Sequence, residues 1–142
     1  MKTKNILGII FIFSLISFYG CSNDDDNLEF SASLLKQTQW VGTFNESYIG
    51  AMGTHISATA NTGFFFESED HGRYSIKWEN LSQVTESPFE YSIDDKLLII
   101  SNGNYLNGSW LITKFDTDKL VLEKGTNGEG AYKCILTLER DY

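Results

Sequence analysis

Gly63-Phe64-Phe65-Phe66-Glu67-Ser68, then Glu69-Asp70-His71-Gly72, then Arg73-Tyr74-Ser75-Ile76-Lys77-Trp78-Glu79: this stretch decides the fold. Its last run alternates, with Tyr74, Ile76 and Trp78 on one side and Arg73, Ser75 and Lys77 on the other. Successive strand residues point to opposite faces, so this period marks a strand with one buried face. The acidic, glycine-ended run before it reads as a hairpin tip. Gly63–Ser68 then ends the preceding strand, which starts near His55 because Ile56, Ala58 and Ala60 alternate with Ser57 and Thr59. Gly63 is a natural place for a bulge in it.

The same pattern extends in both directions. Upstream, Gln39–Asn45 makes a first strand with Trp40 and Phe44 on one face, and Phe30–Lys36 suits one helical turn with Leu34 and Leu35 inward. Downstream, strands are expected at Phe89–Ile93, Lys96–Ser101, Ser109–Phe115, Lys119–Lys124 and Ala131–Arg140. Asp94-Asp95, Asn102-Gly103, Asn107-Gly108, Asp116-Thr117-Asp118 and the loop Gly125–Gly130 punctuate them as turns. Pro88 sits where a strand tolerates it. Trp110 and Leu111 point oppositely and both are apolar, so the face of Trp110 stays open. Ser47–Thr62, with Gly50 and Gly53, is either a lid or a long hairpin.

Short connections without crossover helices imply antiparallel neighbours in sequence order. Eight such strands hide an apolar face in a closed barrel or in two packed sheets, and closure also removes exposed edges. The expectation is therefore an all-β, eight-stranded antiparallel up-and-down barrel, with room for side chains and at most one small ligand.

The chain of 142 residues carries 11 basic and 19 acidic side chains, a net charge of −8. That balance argues against nucleic acid as a partner. At the start, Lys2 and Lys4 precede an apolar run from Ile6 to Tyr19. The run is shorter than the roughly 20 residues of a membrane-spanning helix and has the build of a secretory leader. Phe18-Tyr19-Gly20-Cys21 resembles the lipobox of bacterial lipoproteins. The resemblance implies removal of residues 1–20 and attachment of palmitate-type acyl chains at Cys21, which anchors the protein in a membrane. Residues 21–30, acidic through Asp24, Asp25 and Asp26, read as a tether. Ser22-Asn23-Asp24-Asp25-Asp26 resembles the acidic export signal of some Gram-negative lipoproteins, which implies an outer-membrane protein exposed at the cell surface. Cys134 is the cysteine left to the domain, so no internal disulfide is expected and stability rests on a packed core. Aromatic residues at 14% supply its bulk.

Residues 31–142 resemble the lipocalin-like domain of small bacterial lipoproteins. The residues that carry this are Leu34-Leu35 followed by Trp40, Phe64-Phe65-Phe66 to the Asp70–Gly72 tip, and Phe89-Glu90-Tyr91-Ser92-Ile93-Asp94. Ile112-Thr113-Lys114-Phe115 through Lys119-Leu120-Val121-Leu122, and Leu136-Thr137-Leu138-Glu139-Arg140, complete the order. The resemblance implies the barrel; many members of the family have no defined ligand.

No catalytic constellation stands out, and no cofactor is expected. His55 and His71 lack a third ligand at metal spacing. There is no phosphate loop and no Gly-x-Ser-x-Gly elbow. Glu67, Glu69 and Asp70 gather at one hairpin tip, where an acidic turn suits solvent, and no metal is expected. Cys134 alternates with core residues and reads as packing. The aromatic set Trp40, Phe44, Phe66, Tyr74, Trp78, Phe89, Tyr91, Trp110 and Tyr132 is either plain core or the wall of a cavity for an apolar ligand. All but Trp110 of these are the candidate lining residues. The functional expectation is a membrane-anchored, non-enzymatic module that takes a small apolar ligand. The alternative is a structural or interaction lipoprotein that docks an envelope partner through Ser47–Thr62 and Gly125–Gly130.

Overall fold

The computed structural model describes residues 30–50, 53–126 and 131–142. The leader 1–20, Cys21 and the tether up to residue 29 lie outside the described residues, as do 51–52 and 127–130 within two loops. A short helix α1 (Ala32–Leu35) leads into β1 (Thr38–Ile49), β2 (His55–Phe66), β3 (His71–Trp78) and β4 (Thr85–Asp94). Then come β5 (Leu97–Ser101), a 3-10 turn at Asn104–Leu106, β6 (Gly108–Phe115), β7 (Lys119–Gly125) and β8 (Tyr132–Asp141). Each strand pairs antiparallel with the next, and β8 returns to β1, which closes an up-and-down barrel. This is the expected fold.

Closure depends on one close approach. A Cβ at Gly42 of β1 would lie 1.9 Å from the Thr137 carbonyl oxygen of β8, so only glycine lets the two backbones meet there.

Alternation sorts the side chains. Trp40, Phe44, Phe64, Phe66, Tyr74, Phe89, Leu98, Leu120, Leu136 and Leu138 point inward and are buried. Trp110 joins them, fully buried, with its indole N–H donated to the Leu106 carbonyl at 2.7 Å, while Leu111 faces out. Of the two leucines in α1, Leu35 is buried, but Leu34 is 36% exposed, contrary to expectation. A four-residue helix cannot turn neighbouring residues to one face. Gly63 carries no bulge: β1 and β2 pair without interruption from Thr38↔Phe66 to Ile49↔His55, and the described irregularity falls between Ile112 and Lys114 on β6. Pro88 lies beyond the end of the β4–β5 ladder at Glu90, where a missing N–H costs no bond.

The two ends differ. α1 closes the base, where Phe30 meets Phe115 edge-on at 4.5 Å and the Arg140 guanidinium lies 5.8 Å from the Trp40 ring. At the other end β1 and β2, each of 12 residues, face β5 with only 5. The mouth is therefore one-sided, a tall wall opposite a low rim. Ser47–Thr62 is a long hairpin and forms that wall.

Candidate functional site

The lower interior is filled. Phe64, Phe66, Tyr74, Phe89 and Tyr91 form a continuous aromatic cluster, with centroids 5.1 Å apart for Phe66–Tyr91 and 5.7 Å for Phe64–Phe89. Their polar ends are satisfied within the protein: Tyr74 Oη donates to the Gly103 carbonyl at 2.8 Å, and Tyr91 Oη to the Ser68 carbonyl at 2.6 Å. Trp40 donates its N–H to Thr38 Oγ1 at 2.8 Å. Buried side-chain polar atoms among the described residues all have partners. Well-packed rings with satisfied handles are core. Trp40, Phe66, Tyr74, Phe89 and Tyr91 thus belong to the sealed interior.

The other three candidates, Phe44, Trp78 and Tyr132, lie at the mouth, and the strand register ranks the inner face there in layers. The deepest runs Trp78, Ala60, Phe44, Leu136, Leu122 across β3, β2, β1, β8 and β7. Ala60, Phe44, Leu136 and Leu122 are buried, so this layer is the floor. Phe44 and Trp78 meet edge-on at 5.6 Å, and Tyr105 from the 3-10 turn stands 6.2 Å beyond Trp78.

Above the floor comes the layer Ala58, Glu46, Cys134, Lys124, and above that Ile56, Tyr48, Tyr132. These residues continue the inward alternation, yet Ala58 is exposed and Glu46, Lys124 and Tyr132 are half-buried. Tyr48 and Ile56 are 43% and 39% exposed. An inward face that meets solvent marks an open wall, here one of apolar and aromatic side chains standing over a closed floor. Glu46, Tyr48, Ile56, Ala58 and Lys124 were not among the residues expected from sequence. The alternation of Ile56, Ala58 and Ala60 was their available trace.

Lys124 reaches from this layer toward β6 and the turn before it. Its Nζ donates to the Asn107 carbonyl at 2.9 Å and lies 4.6 Å from the Trp110 ring centroid. Burial lowers its pKa from the usual lysine value. Cys134 beside it is a free, buried thiol, pushed up first by burial and then by the Glu46 carboxylate.

Elsewhere the acidic hairpin tip is dispersed into separate pairs. Glu67 accepts from Arg73 at 2.6 Å, Glu69 faces Lys36 at 3.5 Å, and Asp70 meets His71 at 2.8 Å. The hydrogen bond with His71 lowers the Asp70 pKa and raises that of His71. Among the described residues no group of three or more His, Cys, Asp and Glu side chains could hold a metal ion. A recess of about 670 Å³ at the base, lined by Phe30, Ala32, Ile93, Lys96, Ile112 and Phe115, and one of about 440 Å³ on the outer wall beside Phe65, Arg73 and Pro88, lie apart from the mouth.

The fold and the site define an eight-stranded up-and-down barrel with a filled interior and an open, one-sided mouth. No family model and no curated protein matches the chain. Among solved structures it is similar to Japanin from Rhipicephalus appendiculatus bound to cholesterol, at 12% identity and a TM-score of 0.43, over 73% of this chain and 76% of that one. A likeness at that level carries no conclusion about ligand.

Proposed function

We propose that the protein is a lipid-anchored, non-enzymatic binding module of a bacterial envelope, lipocalin-like in build, that holds a small apolar ligand against the inner wall of its mouth. The observation that carries this is the wall itself: Tyr48, Ile56 and Ala58 point inward and yet remain exposed above the sealed floor of Phe44 and Ala60. Covering such apolar surface is favourable by about 25 cal/mol per Å² removed from water. The anchor rests on Cys21 and its leader, and outer-membrane surface display on the acidic residues after it. α1 enters at the base, so a tether running from Cys21 would leave the mouth at the far end. Native mass spectrometry of protein taken from its own envelope tests the ligand. We expect a retained apolar species that is lost in Ala58→Trp, where the indole fills the mouth, and kept in Val41→Trp on the outer face. Retention in both variants, or no species in the unsubstituted protein, overturns the reading.

A second reading is favoured by the rim. Leu81 and Val84 on the β3–β4 loop, Tyr105 on the 3-10 turn and Ile49 at the end of β1 are exposed at the same end, with Tyr105 at 62%. An envelope protein docking there would cover them. Cross-linking in intact cells through a photoreactive residue at position 105 separates the two, since a small ligand leaves no protein adduct.

A further inference from the structure

One charged group in the mouth wall makes no ion pair or hydrogen bond among the described residues, although Lys124 lies within reach of its charge. Glu46 lies half-buried on the inner face of β1, between Phe44 below and Tyr48 above. Among the described residues its carboxylate has neither an ion pair nor a hydrogen bond, whereas the tip carboxylates Glu67, Glu69 and Asp70 each have one. Lys124 is the cation on the same layer, but Cys134 separates the two in the register, and Lys124 is already tied to the Asn107 carbonyl and the Trp110 ring. A carboxylate with no hydrogen bond or ion pair of its own gains from a cation brought beside it.

The layer above it adds aromatic rings. Tyr48 follows it on the inner face of β1, and Tyr132 lies opposite Tyr48 on β8, so two tyrosines stand in the layer above Glu46. The faces of aromatic rings attract cations, more strongly where water is thinned. A carboxylate with two tyrosines in the layer above it is complementary to an ammonium group attached to an apolar body.

We propose that the mouth selects hydrophobic organic cations, with the ammonium at Glu46 and the apolar body against Tyr48, Tyr132 and Ile56. This rests on the mouth being the ligand seat. The test uses full-length protein in detergent micelles and equilibrium dialysis, with empty micelles as the blank. Three probes share one body: 4-phenylbutyltrimethylammonium, 4-phenylbutanol and 4-phenylbutyrate. The cation should bind about tenfold more tightly than the alcohol, and the anion more weakly than either. Glu46→Gln, which keeps the side-chain shape, should bring the cation most of the way down to the alcohol, the remainder being the pull of the rings, while the alcohol is unchanged. Ala58→Trp should abolish binding of all three. Equal binding of cation and alcohol, or tighter binding of the anion, overturns the charge selection and leaves the mouth as the seat. Cation binding that survives Ala58→Trp places it elsewhere and overturns the proposal. If no probe binds above the blank, the mouth reading itself falls and takes the proposal with it.

Discussion

Gly72 lies directly opposite Phe89 across β3 and β4, and the Phe89 ring occupies the space that a side chain at Gly72 would take. A Cβ there would come within 2.6 Å of both the ring and the Phe65 carbonyl oxygen. The bare inner face of Gly72 is what admits Phe89 to the aromatic cluster. Gly72→Ala should therefore destabilise the fold by about 1–3 kcal/mol, the usual range for overpacking a full core. Urea midpoints check this, and a midpoint unchanged from the unsubstituted protein would show that the ring has room to move.

Tyr91 gives the barrel an alkaline limit. Burial first, and then the Asp70 and Glu69 carboxylates, push its phenol up to about 12. In the unfolded chain a phenol titrates near 10. Between these values the folded state keeps a proton that the unfolded state has lost. The contribution is complete below about pH 10 and disappears as pH rises to about 12. Tyr91→Phe should cost about 1 kcal/mol near neutrality, from the lost bond to the Ser68 carbonyl, and should flatten the alkaline decline. Denaturant titrations of both proteins on either side of pH 10 measure it.

Cys134 should behave as a closed thiol. It is 5% exposed, and burial pushes its pKa up, whereas thiol reagents attack the thiolate. In Cys21→Ser protein a disulfide reagent should modify Cys134 slowly in buffer and fast in strong urea. Equal rates would mean that the layer Ala58, Glu46, Cys134, Lys124 opens to solvent as a whole.

The anchor has a separate test. Cys21→Ser leaves no thiol to acylate, so the precursor should accumulate with residues 1–20 attached or escape through another cleavage. Replacing Asp24, Asp25 and Asp26 with alanine should spare lipidation and lose surface exposure, read as protection from protease added to intact cells. Equal protease access removes the surface claim alone. Detergent partitioning of Cys21→Ser at unchanged mass removes the anchor.

The strands and their order were legible because most alternate cleanly. Arg73–Trp78 is the plainest case, and its pattern of buried and exposed residues in the structure follows the sequence. The mouth was harder to read. β1 runs on to Ile49, past the expected end at Asn45, because Glu46 takes an inward position that a hydrophobic alternation does not predict. Small and polar residues from Ser57 to Thr62 gave no bulk from which to choose between a lid and a hairpin. Trp110 was ambiguous beside Leu111, and the deciding contact, the Leu106 carbonyl, comes from the 3-10 turn. The aromatic set did not divide by sequence into sealed core and mouth, since that division follows from the unequal heights of β1, β2 and β5.

The seam between β1 and β8 bears on how the chain folds. Every other pair of strands is joined by a short connection, but this one brings together Gln39 and Asp141, 102 positions apart, whose side chains meet at 3.3 Å. A loop that long has a large closure entropy, and non-local pairing of this kind slows folding. A sheet of β1 through β7 formed during synthesis would have two unpaired edges, and β8 is the strand that covers both. Completion of the barrel therefore waits on its eighth strand, and a nascent chain is most open to wrong pairing just before that strand is made.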